Sequence, residues 1–476
     1  MLTLAYVADT LLGPGTGSGL PTVPVSRIVV DSRECCPGSL FFAFKGTCVD
    51  GHDYVGDAIR RGAVAAVVRH DWRNPGIEAT VLTKGQETTA ISVPPLIMPV
   101  PDTLWALQTL AGSWRRLMPA TVVGVTGSIG KTLTRDVIAA VLSSRYCVHS
   151  SERNYNNEIG LPLSLLRLND KHQYAVLEMG MYAIGEIATL ARLALPTIGV
   201  VTNVGPTHLE RLGSIERIAE AKRELVAALP ADGLAVLNGD DARVLAMRAG
   251  VRGRVTTYGL SPENDLWADN LTSRGLAGME FDLHADGGVQ RLILPLPGIP
   301  SVYAALAGIA VGRTCDLTWD EMRWALSESA HCARMKLIDL GGIHLLDDTY
   351  NAAPASVMAA LDLLRQMPGR RVAVLGDMLE LGAYSEAGHR EVGRRVCDTA
   401  DVLMTVGKQA RWIAEEACHS GLSNDNVHLM GDQAEVMALL PHILRPGDSV
   451  LVKGSRGMHM ETIVEALAQL LSVSQP

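Results

Sequence analysis

Residues 124–132 read Gly-Val-Thr-Gly-Ser-Ile-Gly-Lys-Thr, directly after the apolar run Thr121-Val122-Val123, and Thr134 to Ser144 then carries a helical pattern. A strand feeding a glycine-rich turn that opens a helix is the strongest constraint in this chain. The backbone N–H groups of such a turn, with the start of the helix, form a cradle for polyphosphate. Gly127, Ser128 and Gly130 would line the cradle, Lys131 would reach the outer phosphates, and the Thr132 hydroxyl would bind Mg²⁺. The segment therefore points to a nucleoside triphosphate. The usual spacing puts a glycine where Val125 stands, so what remains is the shorter pattern Gly127-x-x-Gly130-Lys131-Thr132. Taken alone, a pattern of that length also fits an ordinary strand-to-helix turn.

The 476 residues allow two to four domains and a large core. With 47 % hydrophobic and 20 % charged residues, the composition is that of a folded soluble protein. A net charge of −9 without any basic run disfavours nucleic acid as the main partner. The eight cysteines are scattered and form no Cys-x-x-Cys pair, so neither a zinc site nor a disulfide framework is supported. Reduced thiols in a cytoplasmic protein are the simpler reading. No basic segment followed by an apolar core opens the chain, so no signal peptide is expected. No apolar stretch is long enough for membrane insertion.

Three sections are expected, 1–102, 103–330 and 331–476. The first holds short elements, with strands at Arg27–Val30, Ser39–Phe44 and Val64–Val68 and a helix opened by Asp50-Gly51-His52-Asp53. Four prolines between 94 and 101 mark 86–102 as a linker through which no regular element runs far. The second and third sections alternate apolar strands with amphipathic helices. The fold class that follows is α/β, with parallel sheets covered on both faces. The central strands are expected at Thr121–Val125, Tyr174–Glu178, Ile198–Thr202 and Leu234–Asn238. The C-terminal ones are expected at Ile343–Leu346, Arg371–Leu375, Val402–Val406 and Ser449–Val452.

In such sheets ligands collect at the carboxyl ends of strands. Successive central strands end in the phosphate loop, in Glu178, and in Thr202-Asn203-Val204-Gly205-Pro206-Thr207-His208. A phosphate cradle, a carboxylate and an imidazole at one edge suit Mg²⁺–ATP. Singly, Glu178 also reads as a helix-capping carboxylate and His208 as a turn residue. Lys222 falls on the apolar stripe Ile218, Leu225, Leu229 of a helix capped by Ser214. A lysine facing a core has a lowered pKa, and a neutral amine can take up carbon dioxide as a carbamate, a carboxylate-like metal ligand. The other reading is a lysine whose head escapes to water. The run Asn154–Gly160 either grips a substrate with its amides or caps a turn. In the third section, His344–Pro354, Gly376–Glu380 and Lys453–Gly457 are further polar strand ends.

The motifs together resemble the Mur ligase family, ATP-dependent amide-bond-forming enzymes of bacterial cell-wall synthesis. The likeness runs from Asp31-Ser32-Arg33 and Pro37–Gly46 through Asn154–Leu166, Glu178-Met179-Gly180, Thr202–His208 and Asp348–Pro354. It ends with Gly376–Gly382 and Val452–Gly457. It implies three domains: an N-terminal domain for the UDP end of the acceptor, a central P-loop parallel-sheet ATPase-like domain, and a Rossmann-like C-terminal domain. It implies that Lys131 and Thr132 hold phosphates and metal, that Glu178 and His208 bind Mg²⁺, and that Lys222, fourteen after His208, is the family's carbamate lysine. Arg334, Asp348 and Asn351 match positions that contact the nucleotide. Ser32, Lys45 and Gly46 match positions near the uridine nucleotide, and Asn156 and Asn157 positions facing the muramoyl part.

The branch implied adds D-Ala-D-Ala to UDP-N-acetylmuramoyl-tripeptide and acts in the cytoplasm as a monomer. Alternatives are a sister ligase, a folylpolyglutamate-synthase-like enzyme, or a degenerate binder of UDP-sugar peptides. One departure stands out. Where the family usually has Gly-x-His-Asn-x-x-Asn-Ala-Leu-Ala, this chain has Pro300, Ser301 and Ala304 in place of His, Asn and Asn. Ser301 keeps one hydrogen-bonding group and Ala304 none. Arg153 also stands where glycine is common.

Overall fold

The apolar runs that end in polar or glycine-rich turns become the strands of three sheets, with helices between them. The structure, a computed structural model, describes residues 1–47, 49–73, 76–83, 95–152 and 154–472, so Cys48, Arg153 and Pro94 lie outside the described residues. The chain divides into two compact units. The first comprises Met1–Gly124, Tyr146–Gly180 and Glu186–Thr197, and the second Val125–Arg145, Met181–Gly185 and Ile198–Pro476.

The first unit opens with five parallel strands: β1 (Arg27–Val29), β2 (Ser39–Phe42), β3 (Ala63–Arg69), β4 (Thr80–Val81) and β5 (Leu96–Val100), in the order β1-β2-β3-β5-β4. Val29, Phe41, Ala66, Val68 and Ile97 pack one face against the Val55–Arg60 helix. Strand β5 corrects the expectation that 86–102 is only a linker. It runs through Pro99, yet pairs with β3 along its length. Strand β4 reaches only Leu96 and Ile97, so the missing N–H of Pro99 leaves no bond to β4 unmade.

The Thr103–Leu117 helix follows, capped by Asp102, whose carboxylate accepts from the Trp105 N–H at 2.7 Å. Arg115, on its last turn, is buried because its guanidinium donates to the carbonyls of Ala194, Met118 and Ala120 at 2.7–2.9 Å. Strands β6 (Thr121–Thr126), β7 (Val148–Ser150) and β8 (Tyr174–Glu178) lie in the order β6-β8-β7, and the division between the units falls within β6.

In the second unit the order runs β14-β13-β12-β11-β10-β9-β6, from β9 (Ile198–Val201) and β10 (Leu234–Asn238) through β11 (Arg254–Gly259). Beyond it β12 (Leu266–Ser273), β13 (Met279–Ala285) and β14 (Gly288–Leu294) form an antiparallel extension. The Ile299–Thr314 helix is buried on nearly every face, and Gly308 and Gly312 let it approach the Lys131–Ser143 helix closely. A Cβ at Gly312 would meet Val141 and Met322 at 2.9 Å. The last sheet has the order β15-β16-β20-β17-β18-β19, made of β15 (Lys336–Asp339), β16 (His344–Asp347), β17 (Arg371–Gly376), β18 (Val402–Val406), β19 (Val427–Met430) and β20 (Ser449–Lys453). Only β15 runs antiparallel to its neighbour. Separate apolar layers cover its two faces, as a doubly wound sheet requires.

Burial of one histidine makes stability depend on pH. His149, on β7, bonds the Ser164 hydroxyl at 3.0 Å and is pushed down to about 4, chiefly by desolvation and then by His172. Its contribution is complete above the unfolded value near 6.5 and is lost as pH falls toward 4, because the unfolded chain takes up a proton that the fold refuses. Denaturant unfolding should therefore give a lower stability at pH 5 than at pH 7.5, and His149→Gln should lessen that difference. An equal difference in the variant would contradict the assignment.

Candidate functional site

The glycine-rich turn between β6 and the Lys131–Ser143 helix is braced from the end of β9. Thr202 Oγ1 donates to the Ile129 carbonyl at 2.7 Å, and Asn203 Nδ2 donates to the same oxygen at 2.9 Å. The Asn203 side-chain oxygen accepts from the Ile129 N–H at 2.9 Å, and Ser128 and Gly205 exchange bonds at 2.8 and 3.0 Å. Two glycines are obligatory here. Gly127 has φ +154, and a Cβ on it would sit 1.8 Å from Thr202 Oγ1; Gly130 has φ +81 and caps the helix. The turn is thus a fixed backbone cradle rather than an ordinary connection. Lys131 folds back, donating from Nζ to the carbonyls of Gly127 at 2.9 Å and Ser128 at 3.2 Å.

Lys222 is the largest departure from ordinary burial. Ser214 caps its helix by accepting from the Arg217 N–H, and Ile218, Ala221, Leu225 and Val226 bury the face on which Lys222 lies. The side chain is 2 % exposed, so the escape of its head to water is ruled out. Desolvation, and then the charge of Lys131, holds its amine well below the usual lysine value. The amine is thus buried within reach of the charge of the phosphate-loop lysine. His208 lies in the left-handed region, φ 59, at the cap of the Leu209–Leu212 helix. Its Nδ1 pairs with Glu380 Oε2 at 2.5 Å, and its ring stands nearly perpendicular to that of Tyr182, centroids 5.0 Å apart. Burial lowers its pKa, opposed by Glu380 and reinforced by Lys131 and Lys222.

Residues from the last sheet face the same region. Arg334 Nη1 donates to Thr132 Oγ1 at 3.3 Å, and its guanidinium lies 3.6 Å over the Tyr350 ring. Asp348 pairs with buried Lys453 at 2.6 Å, and that ammonium also donates to the Asn351 carbonyl at 2.9 Å. A cavity of about 650 Å³ joins these parts, lined by Gly130, Thr134, Asn203, Asn238, Pro300, Tyr303, Arg334 and Asp348 among others. The volume suits a nucleotide. Ser301 is buried, and its hydroxyl donates to the Leu296 and Gly298 carbonyls, which seats the first turn of the helix carrying Pro300. Tyr303 donates to Asp240 at 2.8 Å on the same wall.

The remaining expected residues belong to the first unit. Glu178 is 3 % exposed at the end of β8, and its Oε1 accepts from Asn156 Nδ2 at 2.7 Å. Asn157 is a capping residue, its side-chain oxygen accepting from the Gly160 N–H at 2.8 Å. For Asn157 the capping reading of that run holds, and Asn156 is held by Glu178. Ser32 is buried against Asp57, while Lys45 and Gly46 are exposed in a turn closed by the Gly46 N–H to the Val49 carbonyl. Sequence reasoning did not single out Glu380, Lys453 or Tyr350. All three lie in polar segments at strand ends, the one signal available.

Among the described residues, no three His, Cys, Asp or Glu side chains gather as a metal cluster. Of the expected metal ligands, the Thr132 hydroxyl, in the second unit, and the Glu178 carboxylate, in the first, are each hard oxygen donors of the kind Mg²⁺ takes.

Family models match over most of the chain: "Mur ligase family, catalytic domain" over residues 24–115, "Mur ligase middle domain" over 125–312, and "Mur ligase, glutamate ligase domain" over 333–456. The UDP-N-acetylmuramoyl-tripeptide–D-alanyl-D-alanine ligase of Synechocystis is 36 % identical over 454 residues, covering 94 % of this chain and 92 % of that protein. Crystal structure II of MurF from Acinetobacter baumannii superposes with TM-score 0.82 at 28 % identity, over 98 % of each chain. MurF from Thermotoga maritima in complex with ADP superposes with TM-score 0.76 at 28 % identity, over 95 % of this chain and 99 % of that one.

The brace on the cradle is testable without any ligand. Thr202→Val keeps the side-chain shape and removes the bond to the Ile129 carbonyl, at a cost of about 1 kcal/mol. Amide hydrogen exchange at Ile129–Lys131 should accelerate, and Gly127→Ala should lower the melting temperature further. Unchanged exchange in Thr202→Val would contradict the brace.

Proposed function

Because the chain belongs to the Mur ligase family, we propose that it is an ATP-dependent ligase that joins D-Ala-D-Ala to UDP-N-acetylmuramoyl-tripeptide in peptidoglycan precursor synthesis. The observation that carries this reading is the braced phosphate cradle at the mouth of a nucleotide-sized cavity, with the buried amine of Lys222 beside Lys131. The MurF likeness over nearly the whole chain supports the choice of substrates.

Amide synthesis in water needs an activated carboxylate. The γ-phosphoryl group of ATP passes to the terminal carboxylate of the tripeptide, giving an acyl phosphate and ADP. The amine of D-Ala-D-Ala attacks the acyl carbon, the C–O bond to phosphate breaks, and the amine loses its extra proton. Gly127, Ser128 and Gly130 cradle phosphate with backbone N–H groups. Lys131 leaves its loop carbonyls to meet the transferring group, and Arg334 adds a second cation. Asp348 and Asn351, steadied by Lys453, hold the nucleotide from the C-terminal side. Mg²⁺ supplies charge neutralisation of the transferring phosphate, and Thr132, Glu178, His208 and carbamylated Lys222 are the residues that would hold it. Ser32, Lys45 and Gly46 serve the uridine nucleotide, and Asn156 and Asn157 the muramoyl part. In this reading 1–102, 103–330 and 331–476 are the three working domains. Water must be excluded, or the acyl phosphate hydrolyses. Among the described residues, no helix is long and apolar enough to cross a membrane.

With Mg²⁺–ATP, UDP-N-acetylmuramoyl-tripeptide and D-Ala-D-Ala together, phosphate release should exceed every two-substrate control, and other acceptors or amines should not replace the pair. Release no higher than the controls would overturn the assignment. Lys131→Ala should cut turnover by at least about 10²-fold, since it removes transition-state charge stabilisation. Activity lost on bicarbonate depletion and regained on its return is expected for a carbamylated Lys222; activity indifferent to bicarbonate would count against the carbamate.

A further inference from the structure

Glu380 sits at the end of a run whose other residues are all held in place. The Met378 N–H donates to His389 Nε2 at 3.0 Å, the Leu379 N–H donates to Ser455 Oγ at 2.8 Å, and the Asp377 carboxylate caps the helix after β18 through the Gln409 and Ala410 N–H groups. That frame presents Glu380 in a left-handed conformation, φ 65, to His208, itself left-handed at φ 59. The contact is more than a single bond. The Glu210 N–H donates to the Glu380 carbonyl at 3.3 Å, and Gly382, φ 53, packs so closely that a Cβ on it would meet the Glu210 Cα at 2.9 Å. His208 also meets the Tyr182 ring, which carries the Arg211 guanidinium 4.6 Å from its centroid. Two strained residues 172 apart in sequence thus meet through Nδ1 and a carboxylate oxygen at 2.5 Å.

We propose that Glu380 is a positioning residue for His208. Its carboxylate accepts from Nδ1–H, fixes that tautomer and ring orientation, and so directs the Nε2 lone pair toward the phosphoryl-transfer site only when the segment carrying Glu380 is seated. A carboxylate can only accept, so a neutral imidazole bonded to it carries its proton on Nδ1. A histidine that serves a metal or a phosphate needs its working nitrogen fixed in this way by a partner on the other one. The inference rests on the role proposed for His208 above and adds a residue through which that role depends on the C-terminal segment.

The test compares Glu380→Asp with Glu380→Gln. Aspartate keeps the charge and tolerates the left-handed backbone, but its oxygen falls short of Nδ1; glutamine keeps the reach and an acceptor oxygen. Imidazole ¹⁵N NMR on metal-free, ligand-free protein, with the His208 signal assigned by its loss in His208→Ala, should show the Nδ1–H tautomer in wild type and a smaller share of it in Glu380→Gln, whose amide can also donate to Nδ1. Glu380→Asp should show a mixture. In the phosphate-release assay, kcat should fall about 10–100-fold in Glu380→Asp, with KM for D-Ala-D-Ala within twofold. Glu380→Gln should recover at least part of that loss. The double variant Glu380→Asp/His208→Ala should be no worse than His208→Ala alone. An unchanged tautomer with unchanged kcat in Glu380→Asp, or losses that add in the double variant, would overturn the inference. Full kcat in His208→Ala would instead bring down the role of His208 itself.

Discussion

The carbonyl of Ile129 is the point on which the site depends. It accepts from both Thr202 Oγ1 and Asn203 Nδ2, so the end of one strand holds the turn that follows its neighbour in the sheet. The glycine at 127 makes that approach possible, because any side chain there would occupy the place of the Thr202 hydroxyl. Once the turn is fixed, Gly130 can open the helix with its N–H groups unobstructed and Lys131 starts its first turn. Preorganisation of this kind matters because donors already aimed at a polyanion need no reorganisation when charge moves.

Around that cradle the fold concentrates positive charge and balances only part of it locally. Lys453 is matched by Asp348. Lys222 is buried among Ile218, Ala221 and Leu225, and that burial holds its amine well below the usual lysine value. Arg334 lies on the Tyr350 ring and beside the Thr132 hydroxyl. A polyphosphate with its metal is the natural complement of such a set, and a family of amide-forming ligases needs that ligand. The acyl phosphate it makes is safe only in a site that assembles around it, which gives meaning to contacts such as His208 with Glu380 that join segments far apart in the chain.

Much of this was legible in the residues. The strands Tyr174–Glu178, Leu234–Asn238 and Val402–Val406 coincide with their apolar runs because both faces of those sheets are covered. Lys222 was marked by its place on a helical stripe, and its burial excludes the escape of its head to water. What escaped has physical reasons. Strands β15 and β19 are sheet edges, the first largely exposed and the second half-buried, so they lack the long buried apolar run that marks a central strand. Strand β5 hides behind its proline, which is tolerated because β4 is too short to need that N–H. Glu380 carries no local signal beyond its place in a polar strand end: its meaning comes from a partner 172 residues away and from two backbone conformations that side-chain pattern does not encode.

The most direct measurement is a crystal structure with a non-hydrolysable ATP analogue and Mg²⁺. The account predicts the β- and γ-phosphates within hydrogen-bonding distance of the Gly127–Thr132 amides, with Lys131 released from its loop carbonyls and the base in the cavity beside Pro300 and Tyr303. A triphosphate bound elsewhere, with Lys131 still folded onto Gly127 and Ser128, would contradict it.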